Sequence, residues 1–65
     1  MINNLKRIRE EKKMTQDELA EKAGVSRTTI SEIENNKVIN ITKDTMEKIA
    51  VNGLNSTIVD VFFNN

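Results

Sequence analysis

Five cations, Lys6, Arg7, Arg9, Lys12 and Lys13, fall within one short stretch and meet only Glu10 and Glu11 there, a local charge of +3. The whole chain carries ten cations and ten anions, so the remainder sums to −3. One end can therefore face phosphates while the molecule stays neutral. Taken alone, the run is more simply the solvated face of a helix. Zero net charge argues against a protein that depends on bulk attraction to nucleic acid. There is no Cys and no His. This excludes disulfide scaffolds, thiolate or imidazole metal sites, Cys–His nucleophiles and His-based acid–base catalysis. The carboxylates and hydroxyls that remain form no set of nucleophile, base and orienter. We expect no enzyme, no metal, no cofactor and no evident small-molecule ligand.

A different kind of chemistry recurs along the chain, that of the helix cap. Met14-Thr15-Gln16-Asp17-Glu18-Leu19, Val25-Ser26-Arg27-Thr28-Thr29-Ile30 and Ile41-Thr42-Lys43-Asp44-Thr45-Met46 share one pattern. An apolar residue precedes a hydroxyl residue, and a second apolar residue follows four positions after the hydroxyl. The hydroxyl accepts an orphan N–H of the first helical turn, and the apolar pair clasps across the cap. Glu18 adds the capping-box carboxylate. Three helices therefore begin after Thr15, Ser26 and Thr42. They are predicted over 16–23, 27–35 and 43–52, after a first helix over 5–12. Leu5, Ile8, Leu19, Ala20, Ala23, Ile30, Ile33, Met46, Ile49 and Ala50 face inward at helical spacing. Gly24 ends the second helix.

The tail supports two periods. Ile58, Val61 and Phe62 fit a short helix, whereas Val59, Val61 and Phe63 alternate as a strand does. We expect a short helix over 57–60 followed by an extended end. Ile2 would pair with that end in a two-stranded ribbon of the termini. With 65 residues, no Pro and only two Gly, the chain reads as one all-α domain, 1–65, a compact bundle of four to five short helices. No apolar run reaches the length of a membrane span. The start has no apolar signal core, so a cytoplasmic protein is expected.

Only Gly24-Val25-Ser26 joins the second and third helices, a turn short enough to make them cross steeply as a helix-turn-helix. The run Thr15-Gln16-Asp17-Glu18-Leu19-Ala20, then Gly24-Val25-Ser26-Arg27-Thr28-Thr29-Ile30-Ser31-Glu32-Ile33-Glu34-Asn35-Asn36-Lys37, resembles the lambda-repressor-like, or Xre-type, helix-turn-helix family. Leu5, Ile8 and Arg9 before it, and Lys48-Ile49-Ala50, Leu54, Ile58 and Phe62 after it, extend the resemblance over nearly the whole chain. Two departures stand out. Ile41-Thr42-Lys43 replaces the usual Pro-Ser-Leu, putting Lys where a buried Leu is usual. The 37–42 connection and the stretch Val51-Asn52-Gly53 each run one residue longer than usual.

The resemblance implies that the third helix enters the DNA major groove. Arg27, Thr28 and Glu32 then occupy base-reading positions, with Ser31 nearby. Arginine can bond guanine O6 and N7 together, the Thr28 methyl can touch a thymine methyl, and Glu32 can accept from cytosine N4. Gln16, Ser26, Asn35, Asn36 and Lys37 fall at phosphate-contacting positions. Arg9 and Glu34 would form a partly buried ion pair. Phe62 would close the core, and Val59, Val61 and Phe63 are candidate dimer contacts. The function expected is a repressor that binds double-stranded DNA as a homodimer on a near-palindromic operator. Half-sites would lie about 10 bp apart or a multiple of that. The rival readings are a protein-binding module of the same fold, antitoxin-like or anti-repressor, and the DNA-binding domain of a longer regulator.

Overall fold

The computed structural model describes residues 3–37 and 40–63, and all regular structure among them is helical. Four helices come first: α1 (Leu5–Glu11), α2 (Gln16–Ala23), α3 (Arg27–Glu34) and α4 (Lys43–Glu47). A π-helical segment (Lys48–Gly53) continues α4 without a break, and a last π-helical turn, α5 (Val59–Phe63), closes the bundle. None of these helices is long and apolar enough to cross a membrane.

All three caps form. The hydroxyls of Thr15, Ser26 and Thr42 accept the N–H groups of Glu18, Thr29 and Thr45 at 3.0, 3.1 and 3.2 Å. Glu18 returns a carboxylate oxygen to the Thr15 N–H at 2.8 Å, completing a capping box. The flanking residues Met14, Val25, Ile41 and Met46 pack against the buried core. Each of these three starts thus has its capping hydrogen bond and an apolar residue beside it that joins the core. Gly24 takes a left-handed φ of 76° and ends α2, with the Val25 N–H on the Ala20 carbonyl at 3.0 Å. That closes the turn and starts α3 three residues later.

The core contains every residue expected to face inward except Met46, which is half-buried; Phe62 closes it as expected, and Leu54 and Val61 join it. Lys43 is exposed. Ile41 and Met46, on either side of it, supply the apolar contact at the start of α4.

The extra residue expected over 51–53 does not make a loop. The Leu54 N–H reaches back five residues to the Ile49 carbonyl at 3.0 Å. A turn that wide holds one residue more than an α turn, so the insertion is absorbed inside the helix. It also presses Gly53 against α2. A Cβ there would sit 2.6 Å from Leu19 Cδ1 and 3.1 Å from Ala23 Cβ. The 37–42 connection includes residues 38 and 39, which lie outside the described residues.

The tail corrects the sequence reading. The helical turn runs over Val59–Phe63, so residues 61–63, expected to be extended, are helical. Thr57 caps them, its hydroxyl accepting the Asp60 N–H at 3.1 Å. Ile2 lies outside the described residues. The N-terminal segment does meet the tail, but through single hydrogen bonds. The Asn4 N–H bonds the Val61 carbonyl at 2.7 Å, and the Asn4 amide bonds the Asp60 carbonyl at 3.1 Å. Asn3 meanwhile donates to the Ile33 carbonyl at 3.0 Å. Val61 is fully buried. It is a core residue, not a dimer contact, because the helical turn points it inward with Phe62.

Gly53→Ala is expected to destabilise the fold by about 1–3 kcal/mol, since a close-packed core must shift to admit the methyl group. Thermal unfolding followed by circular dichroism should show the midpoint falling by about 4–8 °C per kcal/mol.

Candidate nucleic-acid interface

The outer surface of α3 is built from its own period. Ile30 and Ile33 are buried against α2 and α1. Arg27, Thr28 and Glu32 are exposed, and Ser31 is half-buried beside them. Positions 27, 28, 31 and 32 share one helical face. The structure thus brings the four expected base-reading residues together on one surface, Arg27 and Thr28 at the capped end of the helix and Ser31 and Glu32 one turn further on. Ser31 accepts a hydrogen bond from the Asn35 amide at 3.4 Å, which ties it to its own helix end. Arg27 is paired across the turn: its Nε lies 3.3 Å from Asp17 Oδ1 in the first turn of α2.

The expected phosphate contacts divide. The Ser26 hydroxyl is engaged in capping, at 3.1 Å from the Thr29 N–H and 2.8 Å from the Thr29 hydroxyl. At the far end of α3 the backbone is used internally as well. Asn36 has a left-handed φ of 58°, its N–H bonds the Ile33 carbonyl at 3.1 Å, and the Lys37 N–H bonds the Glu32 carbonyl at 2.9 Å. This paired arrangement satisfies the last carbonyls of the helix. Only the exposed side chains of Asn35, Asn36 and Lys37 are left to reach outward, and Asn36 Oδ1 is itself 3.4 Å from the Asn3 amide.

Gln16 belongs to a buried network. Its Nε2 donates to Glu34 Oε1 at 3.1 Å. Glu34 also takes two bonds from Arg9, Nε to Oε2 at 2.6 Å and Nη2 to Oε1 at 3.1 Å. Arg9 Nη1 donates to the Met14 carbonyl at 2.7 Å. The two charged side chains are 10% and 3% exposed. The hydrogen bonds that Arg9 donates to the Glu34 carboxylate raise its basicity above its already high value, against the opposing effect of burial. Arg9 therefore stays charged, and it contributes nothing to a surface for phosphates. Arg7 pairs with Glu11 at 3.2 Å on the exposed face of α1. Of the five clustered cations, Lys6, Lys12 and Lys13 remain as exposed charges without an ion pair among the described residues.

Spacing did not disclose the Asp17–Arg27 contact or the Asn3 anchor. The first depends on how α2 and α3 cross, and the second joins residues thirty positions apart. The commitment of Gln16 to Glu34 has the same origin, a tertiary contact between residues that share no helix.

The helix-turn-helix family model matches residues 5–51. A mutant of the restriction-modification controller protein C.Esp1396I is 45% identical, with a TM-score of 0.75 over 85% of this chain and 69% of that one. SinR, the master regulator for biofilm formation, solved in complex with DNA, is 36% identical. Its TM-score is 0.77 over 85% of this chain and 86% of that one. The complex of SinR protein with SinI protein is also 36% identical, with a TM-score of 0.78, and the chain spans 53% of that match. No curated protein matches significantly.

Glu34→Ala is expected to destabilise the fold by about 2–4 kcal/mol, because it leaves the buried Arg9 guanidinium without its counter-charge. Urea denaturation should show a lower midpoint at unchanged slope, and an unchanged midpoint would exclude the buried pairing as a stabilising element.

Proposed function

The chain belongs to the Xre-type helix-turn-helix family of DNA-binding transcriptional regulators, and we propose that it is a cytoplasmic repressor acting as a homodimer on a near-palindromic operator. The observation that carries this reading is the exposed face of α3, where Arg27, Thr28 and Glu32 stand outward on a helix whose other side is locked by Ile30 and Ile33. In this reading α3 lies in the major groove. Arg27 bonds a guanine edge, Thr28 meets a thymine methyl, and Glu32 accepts from cytosine or repels a wrong phosphate. Ser31 stands beside them as a further reader.

Phosphate contacts come from the side chains of Asn35, Asn36 and Lys37, and from the first turn of α2. There Thr15 takes the Glu18 N–H, which leaves those of Gln16 and Asp17 without an intrahelical acceptor. Gln16 keeps one amide hydrogen for a phosphate while the other stays on Glu34. Ser26 then serves as the cap that aims α3, not as a phosphate contact.

Two copies are needed because one neutral unit of this size makes few phosphate contacts. The exposed Val59 and Phe63 on α5 are the proposed dimer contact, 59% and 57% accessible. Repression would be occlusion of RNA polymerase. A protein partner is a second reading, supported by the same exposed apolar pair and by the SinR–SinI complex among the similar structures.

Selection of duplexes from a random library is expected to enrich an inverted repeat with fixed half-site spacing. Enrichment of no duplex by folded protein would overturn the reading. On the enriched site Arg27→Ala should cost about 1–3 kcal/mol and relax the choice at one base pair. Equal weakening on every sequence would make Arg27 a phosphate contact instead.

A further inference from the structure

We infer that Asp17 is a positioning residue for Arg27, holding its guanidinium for a guanine edge and lowering its attraction to phosphates at large. The inference rests on the DNA-reading role proposed for Arg27. Asp17 lies in the first turn of α2 and Arg27 is the first residue of α3. Both helix starts are held by capping hydrogen bonds, so the two backbones cannot drift apart freely. Asp17 Oδ1 approaches Arg27 at Nε, 3.3 Å away. The neighbouring Glu18 is occupied by its capping box. Asp17 has no such duty in the cap, and its carboxylate lies instead against the cation of the outward face of α3.

The chemistry of the guanidinium gives this contact its consequence. Its five N–H donors lie in one plane, and an acceptor at Nε occupies the inner edge. The outer edge, made by the two terminal nitrogens, is left open by this ion pair to a further partner. Guanine O6 and N7 match that edge with two parallel acceptors. A free arginine must give up rotamer freedom to reach such a geometry, and a partner that holds it beforehand reduces that loss. The same carboxylate offsets the charge of Arg27 toward any phosphate, whatever the base sequence. Asp17 thereby weakens contacts that carry no sequence information while keeping the one that does. The pair is 64% and 79% exposed. An ion pair so open adds little to stability, so removing it should change recognition and leave the fold intact.

The test uses the whole chain as wild type, Asp17→Asn, Asp17→Glu, Arg27→Ala and the Asp17→Asn/Arg27→Ala double variant. The probes are the duplex enriched by wild type from the random library, the same duplex with its Arg27-read guanine replaced, and an unrelated duplex. Circular dichroism confirms folding of each variant. Asp17→Asn is expected to lose about tenfold in discrimination between the first two duplexes. Its binding to the unrelated duplex should be equal or tighter, with a salt dependence steeper by about one. Asp17→Glu should recover part of the discrimination, and the double variant should discriminate no worse than Arg27→Ala alone. In the free protein the Arg27 Nε–Hε resonance should shift in Asp17→Asn. Wild-type discrimination by Asp17→Asn, an unmoved resonance, or an equal loss in the Arg27→Ala background would each overturn the inference alone. A wild-type protein that enriches no duplex would overturn the DNA reading and this inference with it.

Discussion

The arrangement of the whole molecule depends on one buried cation. Arg9 enters the interior from α1, where an unpaired charge would carry a prohibitive desolvation cost. It is tolerated because Glu34 meets two of its donors and the Met14 carbonyl a third. Gln16 then joins the same carboxylate. Four places are tied by this one group: the body of α1, the turn after it, the start of α2 and the end of α3. The apolar residues on those helices supply most of the burial, but apolar contacts alone allow sliding. A forked, charged hydrogen bond does not, because its geometry is met at a single position. The angle at which α3 is presented is therefore a consequence of the Arg9–Glu34 pair.

The helix starts were legible because their signal is local. A hydroxyl flanked by apolar residues at fixed spacing needs no tertiary information, and all three such sites cap as expected. Thr57 caps the tail equally well, although Ser56 stands where the apolar clasp would be. The tail was ambiguous for a definite reason. Val61 belongs both to the helical set with Ile58 and Phe62 and to the alternating set with Val59 and Phe63. Only packing chooses between the two, and Phe62 and Val61 are buried together while Val59 and Phe63 are not. The π-helical segment shows the complementary case. An extra residue near Gly53 was visible in the sequence, but its place inside a widened turn follows from the contact of that turn with α2.

The candidate site was legible in its membership and not in its connections. The resemblance assigned Arg27, Thr28, Ser31 and Glu32, and α3 does carry them on one surface. The cap held by Ser26 is local and was legible; the partners of Gln16, the buried Glu34 carboxylate, and of Arg27, the Asp17 carboxylate, were not. The cluster of cations near the start also changes meaning once folded. Arg9 is internal and Arg7 faces Glu11, so of the five cations in that run only Lys6, Lys12 and Lys13 remain as exposed charges without an ion pair among the described residues. A neutral protein with few free cations near its reading helix gains little from long-range attraction.

The two adjacent asparagines near the start have a consequence for the order of assembly. Asn3 is fastened to the end of α3, and Asn4 to a tail separated from it by 56 positions along the chain. During synthesis the first of these residues to emerge must wait for the last of their partners. The caps of α2 and α3 are local, whereas the N-terminal segment stays unanchored on one side until α5 follows. A nascent chain halted before residue 60 would lack both the tail partners of Asn4 and the buried Val61 and Phe62 of the core. Asn4 thereby couples the start of α1 to the buried face of α5.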